Sequence, residues 1–127
     1  MLLQSSTSAE ANIVIGNNGT WQDAFQFGQP GDFTWTLVGQ GFELEVKLDR
    51  YQQSPLLKLS TTSGSIIVDD VNQRVIHFLV PPESIQSSLQ PGTYVYDLLM
   101  FDASTPSIRT PLMHGTLRIV QGVTVYP

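Results

Sequence analysis

Hydrophobic and polar residues alternate most regularly from Gly41 to Arg50, GFELEVKLDR, where Phe42, Leu44, Val46 and Leu48 fall on one side and Glu43, Glu45, Lys47 and Asp49 on the other. A two-residue period puts successive side chains on opposite faces of a sheet, so this segment predicts a strand with one face in a core and one in water. FTWTL repeats the pattern with Phe33, Trp35 and Leu37. In TWQDAFQFG, Trp21, Phe25 and Phe27 share a face that Asp23 interrupts. Further strands are expected at residues 13–15, 56–59, 66–68, 75–80, 94–101, 112–120 and 123–126. Turn residues separate them: Asn17-Asn18-Gly19, Pro30-Gly31, Gly39-Gln40-Gly41, Ser63-Gly64, Asp69 to Asn72, Pro91-Gly92 and Gln121-Gly122. Asn18-Gly19 reads as a type I′ hairpin turn. About nine short strands without a long helical window predict an all-β fold, a sandwich or a small barrel.

PPESIQSSLQPG breaks the alternation. Pro82 suits the first position of a helical turn, Ile85 and Leu89 stand four apart, and Pro91-Gly92 must end the turn, so the segment is expected to cross between sheets. The strand after it, TYVYDLLMF, puts Tyr94, Tyr96, Leu98 and Met100 on one face. Its entry, L-x-P-G-x-Y-x-Y, resembles the corner of immunoglobulin-like sandwiches, in which a tyrosine bonds back to the preceding connection and a core cysteine lies two residues later. The resemblance gives Tyr94 the corner and Tyr96 the cysteine's place. The opposite face, with Thr93, Val95, Asp97, Leu99 and Phe101, is more apolar than a solvated face needs, and is expected to be covered by another segment or a partner. Residues 1–20 form a polar arm or hairpin with an apolar tip, Met1, Leu2 and Leu3, too poor in hydrophobic residues to pack alone. It is expected either to lie along a neighbouring subunit or to fold back onto its own sheet. Residues 21–127 are the sandwich domain.

With 127 residues the chain can bury one core. Its net charge is −5, and the basic residues Lys47, Arg50, Lys58, Arg74, Arg109 and Arg118 are scattered, which argues against a nucleic-acid partner. No apolar run approaches the length of a membrane span, and the N-terminus has no export-signal pattern, so a soluble chain without membrane partners is expected. There is no cysteine, which excludes disulfides and thiolate metal sites. Charged residues make up 13% of the chain, against roughly a quarter in ordinary domains. Serine, threonine and glutamine together fill 34 positions, a balance that suits a surface facing other subunits, where amides and hydroxyls cost less to desolvate than charges.

The residue types that carry chemistry do not converge in the sequence. Glu43 and Glu45 lie on one strand face roughly 7 Å apart, alternating with Lys47 and Asp49, which is the pattern of a wet face. His77 and His114 have no companions at metal-ligand spacing. His77, in the apolar run RVIHFLV, is expected to be half-buried. Asp69 to Asn72 has residue types that suit calcium, but it lacks the later glutamate and glycine of an EF-hand loop, and reads as a hairpin turn. No catalytic, cofactor-binding or metal-ligating residue is assigned, and no cofactor is expected. An enzyme would require a pocket that joins two or more of His77, His114, Asp97 and Glu83. Trp21, Trp35, Tyr51 and Tyr126 could stack on sugars, although both tryptophans fall on apolar strand faces.

From about Phe25 to Val123 the order of features resembles small structural proteins of tailed bacteriophages and, more loosely, the N-terminal β-sandwich domain of phage baseplate upper proteins. The features are Gly31-Asp32-Phe33-Thr34-Trp35, the strand from Gly41 to Leu48, Leu57 to Thr61, the hairpin TSGSIIVDD…RVIHFLV, Leu89 to Leu98 and the strand from Gly115 to Ile119. The approach to Gly41 is shorter here than in that pattern, and the arm has no counterpart in it. The resemblance implies an immunoglobulin-like antiparallel β-sandwich with an extended N-terminal arm. It implies a non-enzymatic virion subunit, made in the host cytoplasm, that decorates the capsid or serves the tail or baseplate. Its expected partners are other virion proteins and further copies of itself, engaged through Met1, Leu2, Leu3, Val95, Leu99 and Phe101. A carbohydrate-binding or host-recognition module is the alternative.

Overall fold

The computed structural model describes residues 9–26, 40–69, 75–102 and 104–124, with the side chains of 105–108 outside that description. The alternating segments form strands β1 (Ala9–Glu10), β2 (Ile13–Gly16), β3 (Trp21–Gln26), β4 (Gln40–Lys47), β5 (Leu57–Ser60), β6 (Ile66–Val68), β7 (Val75–Val80), β8 (Gly92–Asp102) and β9 (Thr105–Val120). One helix, α1 (Pro82–Ser88), lies between β7 and β8. The strands make two sheets, one ordered β1-β9-β8-β4-β5 with β2 also on β9, the other β3-β7-β6.

This is an immunoglobulin-like β-sandwich: β3, β7 and β6 stand as strands B, E and D of that fold, and β4, β5, β8 and β9 as C, C′, F and G. Tyr94 confirms the corner, its hydroxyl donating to the Gln90 carbonyl at 2.6 Å. The helix crosses between the sheets as its sequence predicts. Pro82 starts it, its missing N–H costing nothing there, and Ile85 and Leu89 are both buried beneath it.

The inward residues of β4 (Phe42, Leu44, Val46), β8 (Tyr94, Tyr96, Leu98), β7 (Ile76, Phe78, Val80) and β9 (Met113, Leu117, Ile119) fill one core between the sheets. Trp21 completes it, edge-on to Phe78 with ring centroids 5.4 Å apart. Asp23, which interrupts that face in the sequence, accepts the indole N–H of Trp21 at 2.6 Å, so the polar break in the pattern satisfies a donor that burial would leave unpaired.

Several expectations are corrected. Leu48 does not join the core: β4 ends at Lys47 and Leu48 is 62% exposed. Asn18-Gly19 does not form a type I′ hairpin, because neither residue has positive φ and the turn carries the chain from β2 in one sheet to β3 in the other. Val123 and Thr124 belong to no strand, and 125–126 lie outside the described residues. The last strand begins earlier than its alternation suggests, at Thr105. The strand proposed around Trp35 also lies outside the described residues.

The arm divides at residue 9. Residues 1–8, with Met1, Leu2 and Leu3, lie outside the described residues, whereas 9–16 form the edge of the chain's own larger sheet. β1 and β2 both run parallel to β9 in one continuous register, Ala9 beside Met113 through Gly16 beside Val120, broken only at Ala11 and Asn12. All other strand pairs among the described residues are antiparallel.

Candidate functional site

The break at Ala11 has a chemical cause in the core. Tyr96 faces inward opposite Gly115 on β9, and its hydroxyl passes beyond that glycine to donate to the Ala11 carbonyl at 2.5 Å. A Cβ on Gly115 would collide with the same carbonyl. On the other side of the break, the Asn12 side-chain oxygen accepts from the backbone N–H and hydroxyl of Thr116 at 3.0 and 3.1 Å. Tyr96 therefore holds the cysteine's place in sequence and takes over a cross-linking role, tying the first strand to β8 across β9 with a hydrogen bond. Burial, and secondarily the nearby Asp23 carboxylate, pushes its phenol up to about 12 from an ordinary value near 10. A raised acid favours the folded state only while both states are protonated, so stability should fall as pH rises from 10 to 12 and level off above that. The loss should approach roughly 2 kcal/mol in urea titrations across that range, and the slope should be absent from Tyr96→Phe.

The outer face of the larger sheet collects the ionisable residues. Register places Glu45 beside Asp97, Asp97 beside His114 and His114 beside Glu10, one row across β4, β8, β9 and β1. Lys58 on β5 stands next to Glu45. Adjacent members of such a row have Cβ atoms about 5 Å apart. The row floors an open groove of about 580 Å³, whose walls include Asn12, Lys47, Arg50, Val95 and Thr116. Lys47 lies 3.5 Å from Glu45. Glu43, one row away, meets both Lys58 at 3.5 Å and Arg109 at 3.4 Å. Glu43, Glu45 and Lys47 are half-buried by these contacts, less wet than strict alternation implies. The carboxyl of Asp97 is raised, first by burial and then by Glu45, with Lys47 and His114 acting against the shift.

The apolar part of this face lies beyond a β-bulge at Leu98/Leu99, which resets β9 so that Leu99 sits between Glu43 and Pro111. The Phe101 ring rests on Gly41, where any Cβ would strike it, and the Arg109 guanidinium lies 5.4 Å above the ring. Val95 lines the groove. Of the residues assigned to partner binding, Val95, Leu99 and Phe101 are thus brought onto one half-buried face.

The groove joins Asp97 and His114 and so meets the condition that two or more of His77, His114, Asp97 and Glu83 share a pocket, while His77 and Glu83 stand apart from it. His77 is on the outer face of the smaller sheet, half-buried, its Nε2 2.9 Å from the Asp69 carboxylate at the end of β6. No three His, Cys, Asp or Glu residues among those described are arranged to hold a metal ion. Trp21, 2% exposed, is a core residue and unavailable to a sugar. Tyr51 is 84% exposed in the turn after β4, and Trp35 and Tyr126 lie outside the described residues. Sequence reading missed Glu10, Asn12, Arg50 and Gly115. Glu10, Asn12 and Gly115 meet neighbours remote in the chain, with Asn12 and Thr116 separated by 104 positions, and no local periodicity marks such pairs.

No family model matches the chain, and no curated protein matches it. Among solved structures it is similar to the extracellular domain of the voltage-gated sodium channel beta4 subunit, described as a parallel homodimer with a role in cell-cell adhesion. That match has 10% identity, covers 96% of this chain and 100% of that one, and has a TM-score of 0.39. It is also similar to a sialyltransferase from Photobacterium damsela at 14% identity, covering 90% of this chain and 18% of that one, with a TM-score of 0.33. The assignment of the fold rests on the strand order and the tyrosine corner.

Proposed function

We propose that the chain is a non-enzymatic assembly subunit that binds further copies of itself through the outer face of the larger sheet. The observation that carries this reading is the make-up of that face. Val95, Leu99 and Phe101 run along its central strand on either side of Asp97, with Glu43, Glu45 and Lys47 on β4 to one side and Arg109, His114 and Arg118 on β9 to the other. A two-fold axis along β8 would bring β4 of one copy over β9 of the next, so Glu43 and Glu45 of one copy would meet the basic side of the other, with apolar residues flanking the Asp97 row. The sequence resemblance to tailed-phage structural proteins supports a virion as the setting, as a capsid-decoration or tail and baseplate subunit. The scarcity of charge in the chain supports a surface that meets other subunits.

Sedimentation velocity tests it. The wild-type chain should associate at about tens of micromolar, and Leu99→Glu should lower the association constant at least about tenfold, with the thermal midpoint, lowered somewhat by a second carboxylate beside Glu43, checking that the chain stays folded. Undiminished association of a folded Leu99→Glu chain would remove this face from the interface.

A further inference from the structure

The row at the centre of the face is badly matched to a stable sheet. Glu45 and Asp97 are direct cross-strand neighbours, and like charges in that position oppose pairing. The exposure of Asp97 to solvent and the Lys47 ammonium beside Glu45 offset the repulsion in the single chain. A second copy laid over the face would remove that solvent, and two ionised carboxylates would then cost far more. His114 adds a second site for a proton, because it stands between Asp97 on one strand and Glu10 on the other. A protonated imidazole there would face a carboxylate on each side.

The charged and titratable groups that face Asp97 are Glu45 and Lys47 from β4, Arg50 from the turn after it and His114 from β9, with Glu10 and Lys58 at the ends of the row. The groove is lined by three acids, Glu10, Glu45 and Asp97, and two cations, Lys47 and Arg50, with Lys58 outside it and paired with Glu43. One proton on the Glu45–Asp97 pair would balance it. The tendency of Asp97 to hold its proton even in the open groove runs in the same direction.

We propose that the Glu45–Asp97–His114–Glu10 row lies inside the interface between copies and takes up protons as the copies close over it, so that association tightens on mild acidification. This rests on the self-association reading above and adds its chemistry: the second copy is bound together with protons. Each proton taken up changes the association constant tenfold per pH unit within the window where it is gained.

The test is sedimentation equilibrium of the full chain at pH 7.5 and pH 5.5 at constant ionic strength, with Asp97→Asn, His114→Gln and the double variant alongside. All the substituted side chains stand on the outer face, and thermal midpoints check that each variant is folded. The wild-type dissociation constant should fall at least about tenfold at the lower pH. Asp97→Asn should already associate more tightly than wild type at pH 7.5, and the double variant should show little pH dependence. Wild-type association that is independent of pH, but lost in Leu99→Glu, would overturn the proton linkage and leave the docking face standing. A pH dependence that survives in the double variant would overturn the assignment to this row. A wild-type chain that stays monomeric at both pH values would overturn both.

Discussion

Trp21→Ala should destabilise the fold by about 3–5 kcal/mol, lowering the thermal midpoint on the order of 10–20 °C. The indole is 2% exposed and packs edge-on against Phe78, which Phe25 also meets with ring centroids 5.4 Å apart. Removing it opens a large void beneath β3, which among the described residues pairs with β7 alone. It also leaves Asp23 on the core face without its donor. Trp21→Phe separates the two effects: it keeps most of the apolar volume and loses the hydrogen bond, and should cost about 1–2 kcal/mol. If the two variants prove equally destabilised in urea titrations, the indole hydrogen bond dominates rather than the packing.

Gly115→Ala should cost about 2–3 kcal/mol and act locally, since the added methyl meets the Ala11 backbone carbonyl, which cannot move aside as a side-chain end would. The first strand must then lift from β9. Ala11 would lose the bond from its N–H to the His114 carbonyl (2.9 Å) together with the bond it accepts from Tyr96. Hydrogen exchange should show faster exchange at residues 11–16, with the amides between β4 and β8 unchanged. Tyr96→Phe should give the same exchange pattern at a cost of about 1–3 kcal/mol, the penalty of an inward carbonyl without a partner. Unchanged exchange at residues 11–16 in both variants would mean that the strand is held by its parallel pairing and the Asn12 side chain without help from Tyr96.

Much of the fold was legible because alternation is a local property. Phe42, Leu44 and Val46 point inward, as their spacing requires, since a strand in a two-sheet sandwich has one dry face. The corner at Tyr94 was legible because Pro91-Gly92 and the tyrosine that follows lie within one connection. Where reading failed, the deciding neighbour was distant. Asn18-Gly19 has the residues of a tight hairpin, but its flanking strands belong to different sheets. Leu48 continues the alternation one step past the end of its strand.

The face proposed for self-association was legible only in part. The apolar outer residues Val95, Leu99 and Phe101 drew attention to it, because a solvated face does not call for them. The ionisable row did not, since Glu10, Glu45, Asp97 and His114 are dispersed along the chain and become neighbours only through the pairing order β4-β8-β9-β1. By itself the sequence determined the approximate place of most of the described strands, the inner and outer side of those that alternate, and the all-β class of the fold, all of which follow from spacing between near neighbours. Tertiary structure alone decided which charges share a row, that the first strand lies parallel to the last, and that Tyr96 reaches past a glycine to hold it. Register between strands is set by the packing of the whole core, and no stretch of the chain encodes it alone.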